Sequence, residues 1–111
     1  MVDLNSINNI YLYSSPVSFN YGIPSLTELI LSYYNEKDII NSLFVFFGKN
    51  KFQIKIIEIN SDGVWLYQKR LNNANFQFPK LEENITIDKQ QLITILNEIK
   101  PKKMRNNIRK N

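Results

Sequence analysis

Leu43-Phe44-Val45-Phe46-Phe47, Lys51-Phe52-Gln53-Ile54-Lys55-Ile56-Ile57-Glu58-Ile59 and Val64-Trp65-Leu66-Tyr67-Gln68-Lys69-Arg70-Leu71 follow one another across two short polar breaks, Gly48-Lys49-Asn50 and Asn60-Ser61-Asp62-Gly63. Aromatic and β-branched residues suit a pleated, half-buried surface, so the three runs are expected as strands. The breaks read as hairpin loops, with Gly and Asn expected to supply the positive φ that tight turns demand. The result is an antiparallel meander, with Asn75 to Phe78 as a short fourth strand closed by Pro79. Leu43, Val45 and Phe47 point one way and Phe44 and Phe46 the other, which marks a central strand covered on both faces. In the second run Phe52, Ile54 and Ile56 oppose Lys51, Gln53 and Lys55; after Ile56 the alternation slips, and a bulge is expected there. The third run sets Trp65, Tyr67 and Lys69 against Val64, Leu66, Gln68 and Arg70.

Outward from the meander, Ile10 to Tyr13 is a strand candidate for one edge of the sheet, and residues 15–22 read as a loop. Ser25-Leu26-Thr27-Glu28 has capping-box spacing and opens a helix whose stripe is Leu26, Leu29, Ile30 and Tyr33. Asn35 to Asp38 ends it. On the other side, residues 80–84 form an acidic loop. Asp88 and Gln91 then cap a second helix with the stripe Leu92, Ile95, Leu96 and Ile99, stopped by Pro101. The expected fold is α+β: an antiparallel sheet of four or five strands packed with two amphipathic helices, one domain over residues 1–99 and a basic flexible tail over 100–111.

A chain of 111 residues with 43% hydrophobic and 22% charged content has the makings of one folded domain. It contains neither cysteine nor histidine, which excludes disulfides, thiolate nucleophiles, Cys/His zinc sites and histidine acid–base chemistry. Residues 1–10 show no charged segment leading into an apolar one, so no signal peptide is expected. No apolar run approaches the roughly 20 residues of a membrane span. A cytoplasmic protein without membrane contact is the expectation.

Charge is segregated. Residues 43–80 carry six Lys or Arg against Glu58 and Asp62, and from Lys100 onward there are six basic residues and no acid, whereas residues 1–42 and 81–99 are each net acidic. The abundant Asn, Ile and Lys look like the usage of an AT-rich genome, which discounts the lysines somewhat. The segregation is more informative than the net +4.

No catalytic constellation emerges. Three-carboxylate strand-transfer enzymes need three acids converging on two metal ions, and the ten acids here fall mostly in loops and helix ends. Glu82-Glu83 reads as a solvated turn. The three glycines, Gly22, Gly48 and Gly63, never cluster into a phosphate loop. Catalytic residues, metal ligands, cofactor and small-molecule substrate are all expected to be none.

The order of segments resembles the accessory proteins encoded by the second open reading frame of IS66-type insertion sequences, often labelled TnpB-like and unrelated to the RNA-guided nucleases sharing that label. The matching residues are Ser42 to Phe46, Lys55-Ile56-Ile57, Asp62 to Leu71, and Phe76-Gln77-Phe78-Pro79, with the C-terminal helix carrying Leu92, Leu96 and Ile99. The resemblance runs from about Ile10 to about Ile99. One loop departs from it: where the family usually has Asp-Met-Arg-Lys before Gly, this chain has Ser18-Phe19-Asn20-Tyr21 before Gly22. The resemblance implies an accessory role in transposition and DNA recombination beside a transposase. It implies no mechanism.

Two partner classes are therefore expected. Lys49, Lys51, Lys55, Lys69 and Arg70, with Trp65 and Tyr67 close by, are expected to form a basic aromatic sheet face. Together with Lys102, Lys103 and Arg105 in the basic tail they are candidates for DNA binding, because cations neutralise phosphates and aromatic faces stack on unpaired bases. Trp65 and Tyr67 are equally read as core, and lysines on an exposed sheet as protection against aggregation. The competing class is a protein-interaction module contacting the transposase or another accessory protein through a sheet edge or the loop of Phe19 and Tyr21.

Overall fold

The computed structural model describes residues 3–101. Seven strands and three α-helices follow a 3-10 turn at Leu4–Ser6: β1 (Asn9–Leu12), α1 (Ile23–Tyr33), α2 (Glu36–Ile39), β2 (Ser42–Phe47), β3 (Gln53–Asn60), β4 (Gly63–Arg70), β5 (Ala74–Phe76), β6 (Ile85–Ile87), α3 (Lys89–Asn97) and β7 (Ile99–Pro101). Five strands form one sheet in the order β4-β3-β2-β1-β6, and β5 pairs with β7 in a second.

The β2-β3-β4 meander is present, with Phe44 opposite Ile57 and Ile57 opposite Leu66. The sheet as a whole is mixed rather than antiparallel. β1 lies parallel to β2, with Ile10 opposite Leu43, and antiparallel to β6, with Ile10 opposite Ile87. β1 is thus an interior strand, not the edge strand expected. A parallel neighbour requires a crossover, which α1 and α2 supply. The expected fourth meander strand leaves the main sheet altogether: β5 pairs with β7, Phe76 opposite Ile99.

β2 shows why the sheet is two-sided. All six of its residues are buried. Leu43, Val45 and Phe47 pack with Ile54, Ile56, Phe76, Phe78 and, from α3, Leu92 and Ile95. Phe44 and Phe46 pack with Ile57, Ile59 and, from α1, Leu26 and Ile30. Full burial of each such side chain contributes about 1.5–3 kcal/mol, so the sheet is held by two cores rather than one.

The bulge expected after Ile56 is absent. β3 keeps an unbroken register with both neighbours from Gln53 to Asn60. What looked like a slip is a strand buried on both faces, where Ile54 and Ile56 serve one core and Ile57 and Ile59 the other. The turn glycines are also unneeded for positive φ. Neither Gly48 nor Gly63 adopts it, whereas Lys51 at φ 59° and Asn73 at φ 59° do.

The helices number three rather than two, since Glu36–Ile39, expected only to end the first, forms α2. Helix ends differ at the start of α1 and the end of α3 and agree at the start of α3. α1 begins at Ile23, two residues before Ser25; Pro24 occupies its first turn, Gly22 precedes it, and no side chain caps it. Its expected stripe buries Leu26 and Ile30, but Tyr33 is 61% exposed. At α3 the box forms as expected, with Asp88 Oδ1 accepting from Gln91 N at 2.7 Å and Gln91 Oε1 accepting from Asp88 N at 2.7 Å. The helix stops at Asn97, so Ile99 belongs to β7 and not to the helical stripe. Among the described residues, no helix is long and apolar enough to cross a membrane.

Candidate functional site

Register brings several predicted residues to one end of the main sheet. The β2–β3 hairpin turns through residues 48–52, and at that same end Gln53 stands opposite Arg70 and Ile54 opposite Lys69. Leu71 N donates to Phe52 O at 2.7 Å and Phe76 N to Lys51 O at 2.7 Å, so the end of β4 and the start of β5 close around the hairpin. Across the small sheet Asn75 stands opposite Lys100. Lys49, Lys69, Arg70 and Lys100 are exposed there and Lys51 is half-buried.

Between hairpin and β5 lies an open groove of about 710 Å³, lined by Asn50, Phe52, Arg70 and residues 71–75. The Arg70 guanidinium stands 4.9 Å from the centre of the Phe52 ring, within the range of a cation–π contact. Asn75 Nδ2 donates to Asn50 O at 2.5 Å, while Asn72 and Asn73 are exposed on the rim. Guanidinium and amide groups at a groove are hydrogen-bond donors of the kind that meet phosphate oxygens. No acid lines the groove. Asp62 lies in the turn at the other end of β4, and Glu82 and Glu83 precede β6 on the far edge of the sheet.

Lys55 is the predicted cation that does not join this group. It is only 5% exposed, and its Nζ donates to Phe19 O at 2.6 Å and Tyr21 O at 2.5 Å. Burial pulls its pKa below the ordinary lysine value. An ammonium so enclosed ties the loop before α1 to the sheet and offers nothing to solvent. The expectation of one basic sheet face fails on a second count as well: Lys69 lies on the Trp65 and Tyr67 face of β4, and Arg70 on the opposite one, because successive residues of a strand alternate. The cations converge on a sheet end rather than a sheet face. Lys102, Lys103 and Arg105 lie outside the described residues.

The aromatic pair has its own setting. Trp65 is 61% exposed, so the reading of it as core is wrong. Its ring stacks at 6.2 Å and 16° on that of Tyr67. Tyr67 Oη donates at 2.7 Å to Oε1 of Glu58, which is only 7% exposed. Burial, the hydrogen bond to Glu58 and that carboxylate's charge together push the Tyr67 hydroxyl up to about 12. Sequence reading missed this pair, although a lone acid inside an Ile-rich strand, opposite a Trp-x-Tyr run, was a visible signal. Among the described residues, no three metal-ligating side chains gather closely enough to hold an ion.

The loop tied down by Lys55 presents Phe19, 64% exposed, and Tyr21 to solvent. Tyr21 stands where the resemblance has Lys, and Phe19 where it has Met.

No curated protein and no solved structure matches the chain. A family model described as IS66 Orf2 like protein matches residues 8–106, which takes in every strand and helix of the main sheet. The chain therefore belongs to the IS66 Orf2 like family.

Proposed function

We propose that this chain is an accessory protein of insertion-sequence transposition that contacts DNA with the basic end of its sheet. Family membership supports the accessory role. The observation that carries the DNA contact is the placement of Lys49, Lys51, Lys69, Arg70 and Lys100 at one end of the fold, beside a groove that Arg70 lines and no acid does. Five further Lys or Arg follow Pro101 in the sequence and extend the same charge. The contact is to the phosphate backbone: the cations release counterions from the duplex, and the groove's amides and Arg70 fix its orientation. The protein breaks no bond in this reading.

Fluorescence anisotropy with labelled duplex tests it. Binding is expected at low salt, with log affinity falling linearly against log salt. Lys49→Glu combined with Lys69→Glu is expected to weaken binding by tenfold or more, since each lost phosphate contact lowers the salt slope by about 0.9. Undetectable binding at low salt, or binding indifferent to that pair and to truncation after Pro101, would end the proposal.

One observation favours a second reading, contact with the transposase. Phe19 and Tyr21 are large, exposed and held on a loop that Lys55 fixes in place, as suits a protein-binding loop. Loss of transposase co-purification on Phe19→Ser with Tyr21→Ser, DNA affinity being unchanged, would assign that loop to the protein partner.

A further inference from the structure

The two edges of the main sheet are unlike. β6 is a three-residue edge, short enough to invite no pairing, whereas β4 is an edge of eight residues with an unbroken register. Long regular edges are templates for another strand, and proteins ordinarily blunt them with bulges, proline or short length. β4 has none of these, and its two cations, Lys69 and Arg70, stand together at its C-terminal end and leave the rest of the edge without charge.

Its backbone directions follow from the hairpin. Asn60 stands opposite Gly63 across a two-residue turn, and such a closing pair exchanges both its hydrogen bonds. Alternation then turns the odd positions toward β3, as the bond from Leu71 N to Phe52 O shows at the strand's end. The N–H and C=O groups of Val64, Leu66, Gln68 and Arg70 therefore point out of the sheet.

We infer that β4 pairs with β4 of a second copy of this chain, antiparallel, about a two-fold axis through Leu66. A two-fold normal to the sheet keeps each side chain on its own face, so paired positions must have the same parity. Centring on Leu66 satisfies this and joins the outward groups: Leu66 with Leu66, and Val64 with Gln68 twice. The side chains then match by chemistry. Trp65 meets Tyr67 of the second copy on one face, an aromatic cross-strand pair of the favoured kind. Asp62 meets Arg70 at each end, which pairs the one acid of the β3–β4 turn with the strand's terminal cation. Centring on Tyr67 instead would set Trp65 against Lys69 and leave Asp62 without a cation. The exposure of Trp65 in the single chain is what the pairing accounts for.

Sedimentation of the nuclease-treated full chain, over a concentration series without DNA, is the test. A reversible monomer–dimer equilibrium is expected. Gln68→Pro removes an outward donor without touching the ladder to β3; two bonds are lost by symmetry, so the dimer dissociation constant should rise about thirtyfold. Arg70→Asp alone and Asp62→Arg alone should each weaken the dimer about fivefold, and the two together should restore it. A chain that stays monomeric at every concentration overturns the inference. So does a double exchange that fails to restore association, whether or not Gln68→Pro folds. Neither readout involves DNA, so failure here is distinct from failure of the DNA-binding reading.

Discussion

β2 and β4 lie two places apart in one sheet and both carry aromatic residues, yet those residues have opposite surroundings. Phe44 and Phe46 of β2 are sealed beneath α1, whereas Trp65 of β4 stands in solvent. The aromatic residues alone do not separate them. Strand order does: β1 enters between β2 and β6, so β2 acquires neighbours on both sides and a layer on both faces, while β4 is left outermost. An aromatic residue in a strand reports a pleated surface, and its position in the sheet decides whether that surface is a core or an edge.

That contrast can be broken at three points. Phe44→Ala should cost about 3–5 kcal/mol in urea unfolding, because it empties a site bounded by Tyr11 and Tyr34, with ring centres 5.0 and 5.1 Å away. A cost near zero would mean that the α1 side is not a packed core. The next effect comes from alkali. Burial and the charges of Tyr11 and Tyr13 push the Tyr34 hydroxyl up to about 12, and Tyr67 reaches about 12 by a different route, burial together with Glu58. Both folded values lie above the ordinary 10, so the neutral phenol is favoured in the folded state. The associated stability is intact below pH 10 and drains away as pH rises through about 12. Absorbance titration of the phenolates alongside circular dichroism should show these two ionising with unfolding; ionisation near pH 10 in the folded protein would contradict the burial of both. The smallest effect belongs to the edge. Trp65→Ala should change the stability of the dilute, monomeric chain by no more than about 0.5 kcal/mol, and a loss as large as that at Phe44 would erase the distinction between the strands.

Legibility followed the length of the local signal. The six-residue run of β2 announced both its faces, and Asp88 with Gln91 announced the cap of α3, because each rests on contacts made within a few residues. Ile85-Thr86-Ile87 alternates as a strand should, but three residues among polar ones were too short to stand out, and the strand exists through its pairing with β1. The same holds for β5 and β7, which define each other. The parallel contact of β1 with β2 was hidden for a different reason: nothing in a strand's own residues says which neighbour it will choose. At the basic end, the lysines were visible as residues but not as a site. Lys55 reads like its neighbours Lys49 and Lys51 in a list of charges, and only the fold reveals that it is spent on the carbonyls of Phe19 and Tyr21.

The interior place of β1 has a consequence for how the chain is born. Ile10 must meet both Leu43 and Ile87, and on a ribosome adding about 5–20 residues per second the first of these arrives well before the second. Through that interval one flank of β1 stays open, and the Val45 side of the sheet lacks the helix that will cover it, since α3 emerges after α1 and α2. That apolar face is uncovered until then, and the stretch from Ile85 to Ile95 is what closes the interval.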